Sequence, residues 1–259
     1  MSLLESNREA WNQAANADCD SSIPLSSDDI RLAREGDWRV RLTPLKWVPR
    51  NWFPSPAGCR VLCVGSGGGQ QVPMLAAAGA SVVSLDLSDE QLRLDGEVAK
   101  RFNLAIETQQ GDMTDLEPFA DESFDVVFNP VSTLFVDHVE RFWRSCFRVL
   151  KPDGILMSGS MNPSFFLFDH EEAKNEGVLR AKFPLPYSDL TSLSADQEAA
   201  VKAGRKTVEF GHTLEALIGS QLEAGFHLTH FYEDYWKDEA SLLNVFSPTS
   251  FATRSVKRH

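Results

Sequence analysis

Residues 60–71 read Arg-Val-Leu-Cys-Val-Gly-Ser-Gly-Gly-Gly-Gln-Gln, an apolar run that passes directly into a glycine-rich turn. Glycine admits backbone angles and close approaches that a Cβ forbids, so Gly65, Gly67 and Gly69 mark a place where backbone can lie against a ligand. A helix beginning near Gln70 would add unpaired N–H groups suited to an anion or a carboxylate. Asp86 follows 17 residues after Gly69, at the end of the run Val82-Val83-Ser84-Leu85. A carboxylate there accepts hydrogen bonds from a ribose diol. Glycine turn and acid together are the chemistry of a nucleotide-like cofactor. A nicotinamide loop of the Gly-x-Gly-x-x-Gly type would need glycine or alanine at position 70, where this chain has Gln70, and the register disfavours NAD.

Elements of two periods must hold these residues in place. Short apolar runs predict strands at Arg60–Val64, Ser81–Asp86, 105–109, Phe124–Asn129 and 154–159, with helical spacing over 70–78, Asp89–Phe102 and 139–150 between them. This alternation is that of a mostly parallel sheet wrapped by helices. Further strands are expected at 206–210, 227–232 and 250–255, and a helix over 213–224 that Gly225 ends. Residues 1–57, with Trp38, Trp47, Trp52 and several prolines, read as an N-terminal cover. Residues 58–160 and 207–259 read as the cofactor-binding core, and 161–206, rich in Phe, Pro and Ser, as an inserted lid.

At this point the chain resembles the class I S-adenosylmethionine-dependent methyltransferases, whose first motif commonly reads acid-x-Gly-x-Gly-x-Gly. Asp86 matches the ribose-binding acid of that family, and Gly111-Asp112-Met113 looks like the segment beside the adenine amino group. Phe124–Asn129 looks like the fourth strand, and Arg148-Val149-Leu150-Lys151-Pro152-Asp153-Gly154 is similar to the turn before the fifth. The resemblance implies a Rossmann-like, doubly wound α/β fold with a seven-stranded sheet. It implies S-adenosylmethionine as cofactor, S-adenosylhomocysteine as product, and cofactor contacts from Gly65, Ser66, Gly67, Gly69, Gln70, Gln71, Asp86, Leu87, Asp112, Met113 and Asn129. One position departs from the pattern. Cys63 stands where the acid before the glycine turn is usual, so Gln70, Gln71 or a base among Arg39, Arg41, Lys46 and Arg50 is expected to anchor the amino-acid end of the cofactor instead.

Methyl transfer from a sulfonium is an in-line displacement that requires the nucleophile to be held near the methyl carbon and water to be excluded. It demands no metal, and no metal site is predicted. If the acceptor loses a proton, His138, His212 and Tyr187 are the candidate bases, without a firm choice among them. Phe165, Phe166, Phe168, Phe183 and Tyr187 in the lid form either local core or the lining of an apolar acceptor pocket.

Composition narrows the partners. The 259 residues carry a formal charge of -12, which repels phosphate backbones and anionic lipid surfaces and points to a small-molecule acceptor rather than nucleic acid or membrane. Cys19, Cys59, Cys63 and Cys146 have no metal-ligand spacing and read as buried free thiols, and the N-terminus shows no secretory pattern, so a cytoplasmic location is expected. The protein is expected to be a monomer or a homodimer. The competing readings are an NAD-dependent oxidoreductase and a cofactor-binding module without transfer activity.

Overall fold

A computed structural model describes residues 2–17, 22–237 and 241–258. Its centre is a seven-stranded sheet in the order β3-β2-β1-β4-β5-β9-β8. The strands are β1 (Arg60–Val64), β2 (Ser81–Asp86), β3 (Ile106–Gln110), β4 (Phe124–Asn129), β5 (Leu150–Met161), β8 (Phe226–Asp234) and β9 (Ser250–Lys257). The first five run parallel, whereas β9 pairs antiparallel with both β5 and β8. Strand order reverses between β1 and β4, and in open α/β sheets the crevice at such a reversal, outside the carboxyl ends of the strands, receives ligands.

Helices α3 (Gln71–Ala77), α4 (Asp89–Phe102) and α5 (Val139–Val149) connect the parallel strands. Helix α4 starts where the Ser88 hydroxyl accepts from the Gln91 N–H, has Asp89 and Glu90 in its first turn, and ends at Asn103 with φ 51°. Cap, acids and a left-handed terminal residue are the features that stop a helix fraying. Central strands bury both faces. Val61 and Cys63 of β1 face one core cluster, with Val72, Leu75 and Val98, while Leu62 and Val64 face another, with Phe142, Trp143 and Leu156. Each such aliphatic or aromatic side chain contributes about 1.5–3 kcal/mol on burial, so continuous apolar strands place this sheet at the centre of the molecule.

The N-terminal segment contributes α1 (Leu3–Asn16) and α2 (Ser27–Arg34), then an irregular stretch whose Trp38, Val40, Leu42, Val48 and Trp52 enter the first core cluster. It crosses the carboxyl ends of the strands, where the Leu42 carbonyl oxygen accepts from Val131 N–H at 3.1 Å. Between β5 and the last helix lie α6 (His170–Glu176), β6 (Tyr187–Ser188), α7 (Asp189–Ser192), α8 (Ala195–Lys202) and β7 (Phe210–Gly211).

Several sequence expectations need correction. The strand expected at 206–210 is not part of the main sheet. Only Phe210–Gly211 is extended, and it pairs with Tyr187–Ser188 in a separate two-stranded sheet. The reason is chemical, because Lys206 and Glu209 serve Asp189: Lys206 Nζ lies 2.9 Å from Asp189 Oδ2, and Glu209 N–H donates to the same oxygen at 3.0 Å. The helix expected over 213–224 begins as a π-helical turn, Glu215–Gly219, and continues as α9 (Ser220–Glu223). Cys63 and Cys146 are buried free thiols, but Cys59 is only half-buried, and Cys19 lies outside the described residues.

Candidate functional site

The turn after β1 has a backbone that only glycine tolerates. Gly65, Gly67 and Gly69 have φ of 55°, 69° and 79°, so every second residue is left-handed. Their surroundings are tight as well. A Cβ on Gly65 would come 2.8 Å from Ser132 Oγ, and one on Gly69 would come 2.9 Å from Pro24 Cα. Leu25 N–H donates to the Gly69 carbonyl at 2.9 Å, so the N-terminal segment passes over the turn.

Two of the turn's own amides are already bonded within the protein. Gly68 N–H donates to Gln91 Oε1 at 2.6 Å and Gly69 N–H to Asp95 Oδ1 at 2.7 Å, which turns both groups inward onto α4. What the turn does hold is the buried Ser66 hydroxyl, which lies beside the Cys63 thiol and meets no stronger donor or acceptor among the described residues. Gln71 Oε1 accepts from Arg41 N–H at 3.0 Å, and Arg41 Nε is buried without a hydrogen-bond partner among the described residues. All four bases expected near the turn are engaged elsewhere: Arg41 Nη1 donates to the Pro44 carbonyl oxygen at 3.2 Å and its guanidinium lies over the Trp47 ring. Arg50 donates to the Trp38 and Gly36 carbonyls, Lys46 Nζ donates to the Glu233 carbonyl, and Arg39 lies 3.5 Å from Asp37.

Asp86 ends β2 in the same crevice. Its Oδ1 accepts from Ser88 N–H at 2.9 Å, and no side-chain donor or cation among the described residues meets the carboxylate. Desolvation pushes its pKa up to about 6, against smaller lowering by the Ser88 and Leu87 amides. An ionised carboxylate so placed gains from a ligand that donates hydrogen bonds, which a ribose diol does. The Asp86 carbonyl oxygen accepts from Gly111 N–H at 3.0 Å, and this contact brings Asp112 and Met113 alongside. Asp112 Oδ1 accepts from Thr114 N–H at 2.8 Å and holds that segment in a turn.

Asn129 closes the opposite side. It is fully buried, and its amide Nδ2 donates to the Val64 carbonyl at 2.9 Å and to Ser132 Oγ at 2.5 Å, while Oδ1 accepts from Ser158 Oγ at 3.0 Å. Its amide hydrogens are therefore engaged with protein, and it orients Ser132 against Gly65. The sequence did not reveal Ser132, Ser158, Gln91 or Asp95 as members of this arrangement. For the last two a signal existed: their i, i+4 spacing places a polar pair on the apolar face of α4.

The three candidate bases occupy different surroundings. His138 is exposed at the start of α5, 3.8 Å from Asp137. Tyr187 donates from Oη to Asp189 Oδ1 at 2.7 Å, and burial followed by that bond raises its pKa, so it stays protonated. His212 is buried, its Nε2 3.1 Å from the Thr133 carbonyl, and desolvation lowers its pKa, so a neutral imidazole stands beside the turn after β4. The lid aromatics meet one another: Phe166 stacks on Tyr187 with ring centroids 5.5 Å apart, and Phe183 meets Tyr187 edge-on at 5.1 Å. Phe166 and Tyr187, with Leu134 and Met161, belong to a third apolar cluster above the end of β4.

The residues present fit a nucleoside with an amino-acid tail. An acid with an unmet acceptor ends β2, and a buried hydroxyl lies in a glycine turn beside the Cys63 thiol. Among the described residues, no group of three or more His, Cys, Asp or Glu is placed to hold a metal ion, and no helix is long and apolar enough to cross a membrane.

Comparison with known proteins gives the same direction. Residues 62–158 match a family profile described as a methyltransferase domain. The chain is 44% identical over 255 residues, 98% of each chain, to the uncharacterized methyltransferase YbaJ of Bacillus subtilis. It is 35% identical over 151 residues, 58% of this chain and 56% of the other, to a demethylmenaquinone methyltransferase of Tropheryma whipplei. In fold it is similar to an S-adenosylmethionine-dependent methyltransferase of Mesorhizobium loti, with a TM-score of 0.61 at 18% identity over 80% of this chain and 94% of that one.

Proposed function

From the premise that the chain belongs to the S-adenosylmethionine-dependent methyltransferases, taking that cofactor and releasing S-adenosylhomocysteine, we propose that it methylates a small-molecule acceptor beneath the lid segment 161–206. In this reading the cofactor is held by Gly65, Ser66, Gly67, Gly69, Gln70 and Gln71 at its amino-acid end. Asp86 and Leu87 hold the ribose, Asp112 and Met113 flank the adenine, and Asn129 supports the turn from behind. Bound there, the cofactor supplies an electrophilic methyl group on a sulfonium. The chain's own task is to exclude water and hold the acceptor in line.

One observation carries the acceptor class. Leu134, Met161, Phe166 and Tyr187 cluster over the end of β4, and Leu42 crosses the same edge, so an acceptor approaching there must fit beneath a roof. The charge of -12 supports the same reading over a nucleic acid. Three free thiols among the described residues suit a reducing cytoplasm. An NAD-dependent role is not favoured.

The test is transfer of isotopically labelled methyl from S-adenosylmethionine into a cell extract, fractionated by size. Label in the low-mass fraction is expected and identifies the acceptor by mass spectrometry. Label confined to protein or nucleic acid contradicts the reading.

A further inference from the structure

The cofactor turn is fastened from below by α4. Gln91 and Asp95, one helical turn apart and each 1% exposed, take the Gly68 and Gly69 amides at 2.6 and 2.7 Å. The second oxygen of Asp95 accepts from the Ser84 hydroxyl at 2.7 Å. Burying an ionisable group this completely is unfavourable unless it is bonded, and Asp95 is bonded by one turn amide and one strand hydroxyl. No cation faces it among the described residues. The titratable groups that do are Asp86 on β2, a like charge, and the thiol of Cys63 on β1.

Strand register explains the arrangement. Cys63 pairs with Ser84, so their side chains stand side by side on one face of the sheet, and Asp86, two residues on, shares that face. The space beside Cys63 that an acid at position 63 would fill is reached instead by Asp95. Burial raises the Cys63 pKa most strongly, and the negative charge of Asp95 adds to it, so the thiol stays neutral beside the carboxylate.

We propose that Asp95 is the positioning carboxylate of the cofactor turn, supplied from α4 because β1 carries Cys63 in the acid's place. Through the Gly69 amide it fixes the left-handed path of the turn, and thereby the shape presented to the amino-acid end of the cofactor. The proposal rests on the reading that residues 65–71 hold S-adenosylmethionine.

The test uses the full chain and calorimetric titration with S-adenosylhomocysteine, with melting curves alongside. Removing the acceptor in Asp95→Ala leaves a buried amide unpaired and is expected to weaken binding about tenfold or more. Asp95→Asn keeps an acceptor oxygen for Gly69 and is expected to bind within about threefold of the parent. Cys63→Asp alone sets two carboxylates side by side and is expected to melt lower. Combined with Asp95→Ala it returns a single carboxylate to the same space, and the double variant is expected to recover most of the lost affinity. If Asp95→Ala does not fold, a folded double variant that binds like the parent supports the proposal just as well. Parent-like binding by Asp95→Ala overturns it, as does a double variant that fails to fold or binds no tighter than Asp95→Ala. Failure of the underlying reading is distinct: the parent then binds no S-adenosylhomocysteine, or Asp86→Ala binds it as the parent does.

Discussion

Asn129 donates to the Val64 carbonyl oxygen at 2.9 Å, joining the last residue of β4 to the last residue of β1 where the strand order reverses. The same amide group reaches Ser132, and its carbonyl oxygen accepts from Ser158, so one buried side chain sets the spacing of three elements. Asn129→Ala leaves those partners buried and unpaired, a loss of about 1–3 kcal/mol each. Urea denaturation is expected to show destabilisation in that range, and a change below about 0.5 kcal/mol would mean that water or a shifted Ser132 replaces the amide.

Gly159 gives a sharper steric test. A Cβ built on it would overlap the Leu42 carbonyl oxygen, a backbone atom that also accepts from Val131 N–H. Gly159→Ala must displace the N-terminal crossing or β5, and is expected to destabilise the protein by about 2–3 kcal/mol, with accelerated proteolysis in residues 40–50. Unchanged stability and unchanged cleavage would show that the crossing is not seated on β5.

Cofactor affinity should report the acid at the end of β2. Desolvation holds Asp86 at about 6 in the ligand-free protein, and the ionised form is the better acceptor for a diol. Affinity for S-adenosylhomocysteine is therefore expected to be level above pH 7 and to fall toward about tenfold per pH unit below 6. Asp86→Asn is expected to abolish the slope, whereas Asp95→Asn is expected to retain it. A slope that survives in Asp86→Asn belongs to another group.

Stability should report the other buried acid, with the opposite sense. Asp95 is raised to about 7, by desolvation first and by the Asp86 charge as well, against an unfolded value of about 3.9. Between these values the folded state binds the extra proton, so the contribution of Asp95 is fully present below about pH 4 and is lost as pH rises to about 7. Relative to Asp95→Asn, the parent is expected to lose on the order of a few kcal/mol between pH 4.5 and 8 in urea denaturation. A difference that does not change with pH would mean that Asp95 carries the same charge in both states.

Much of this architecture was legible because the signals were local. The apolar runs at Arg60–Val64, Ser81–Asp86 and Phe124–Asn129 are the observed strands, and the capped amphipathic stretch Asp89–Phe102 is α4. The glycine turn was legible for a different reason: alternate left-handed residues select glycine whatever surrounds them. What escaped depends on distant partners. Besides Ser132 nearby, Asn129 is satisfied by Val64, 65 residues away, and Ser158, 29 residues away, and these distant partners are what make it an internal strut and not a ligand contact. Lys206–Phe210 has a strand-like pattern, but Lys206 and Glu209 are drawn to Asp189 instead of to a neighbouring strand. Gln91 and Asp95 fall on the apolar face of α4, but their spacing alone does not name the turn amides they hold.

The central claim is that residues 65–69 and Asp86 hold the two ends of one cofactor. A crystal structure of the S-adenosylhomocysteine complex tests it most directly. The ribose hydroxyls are expected about 2.7 Å from the Asp86 carboxylate oxygens, with the amino-acid tail lying along the glycine turn. A bound ligand whose ribose lies away from Asp86, or whose tail leaves the turn uncontacted, would contradict the account.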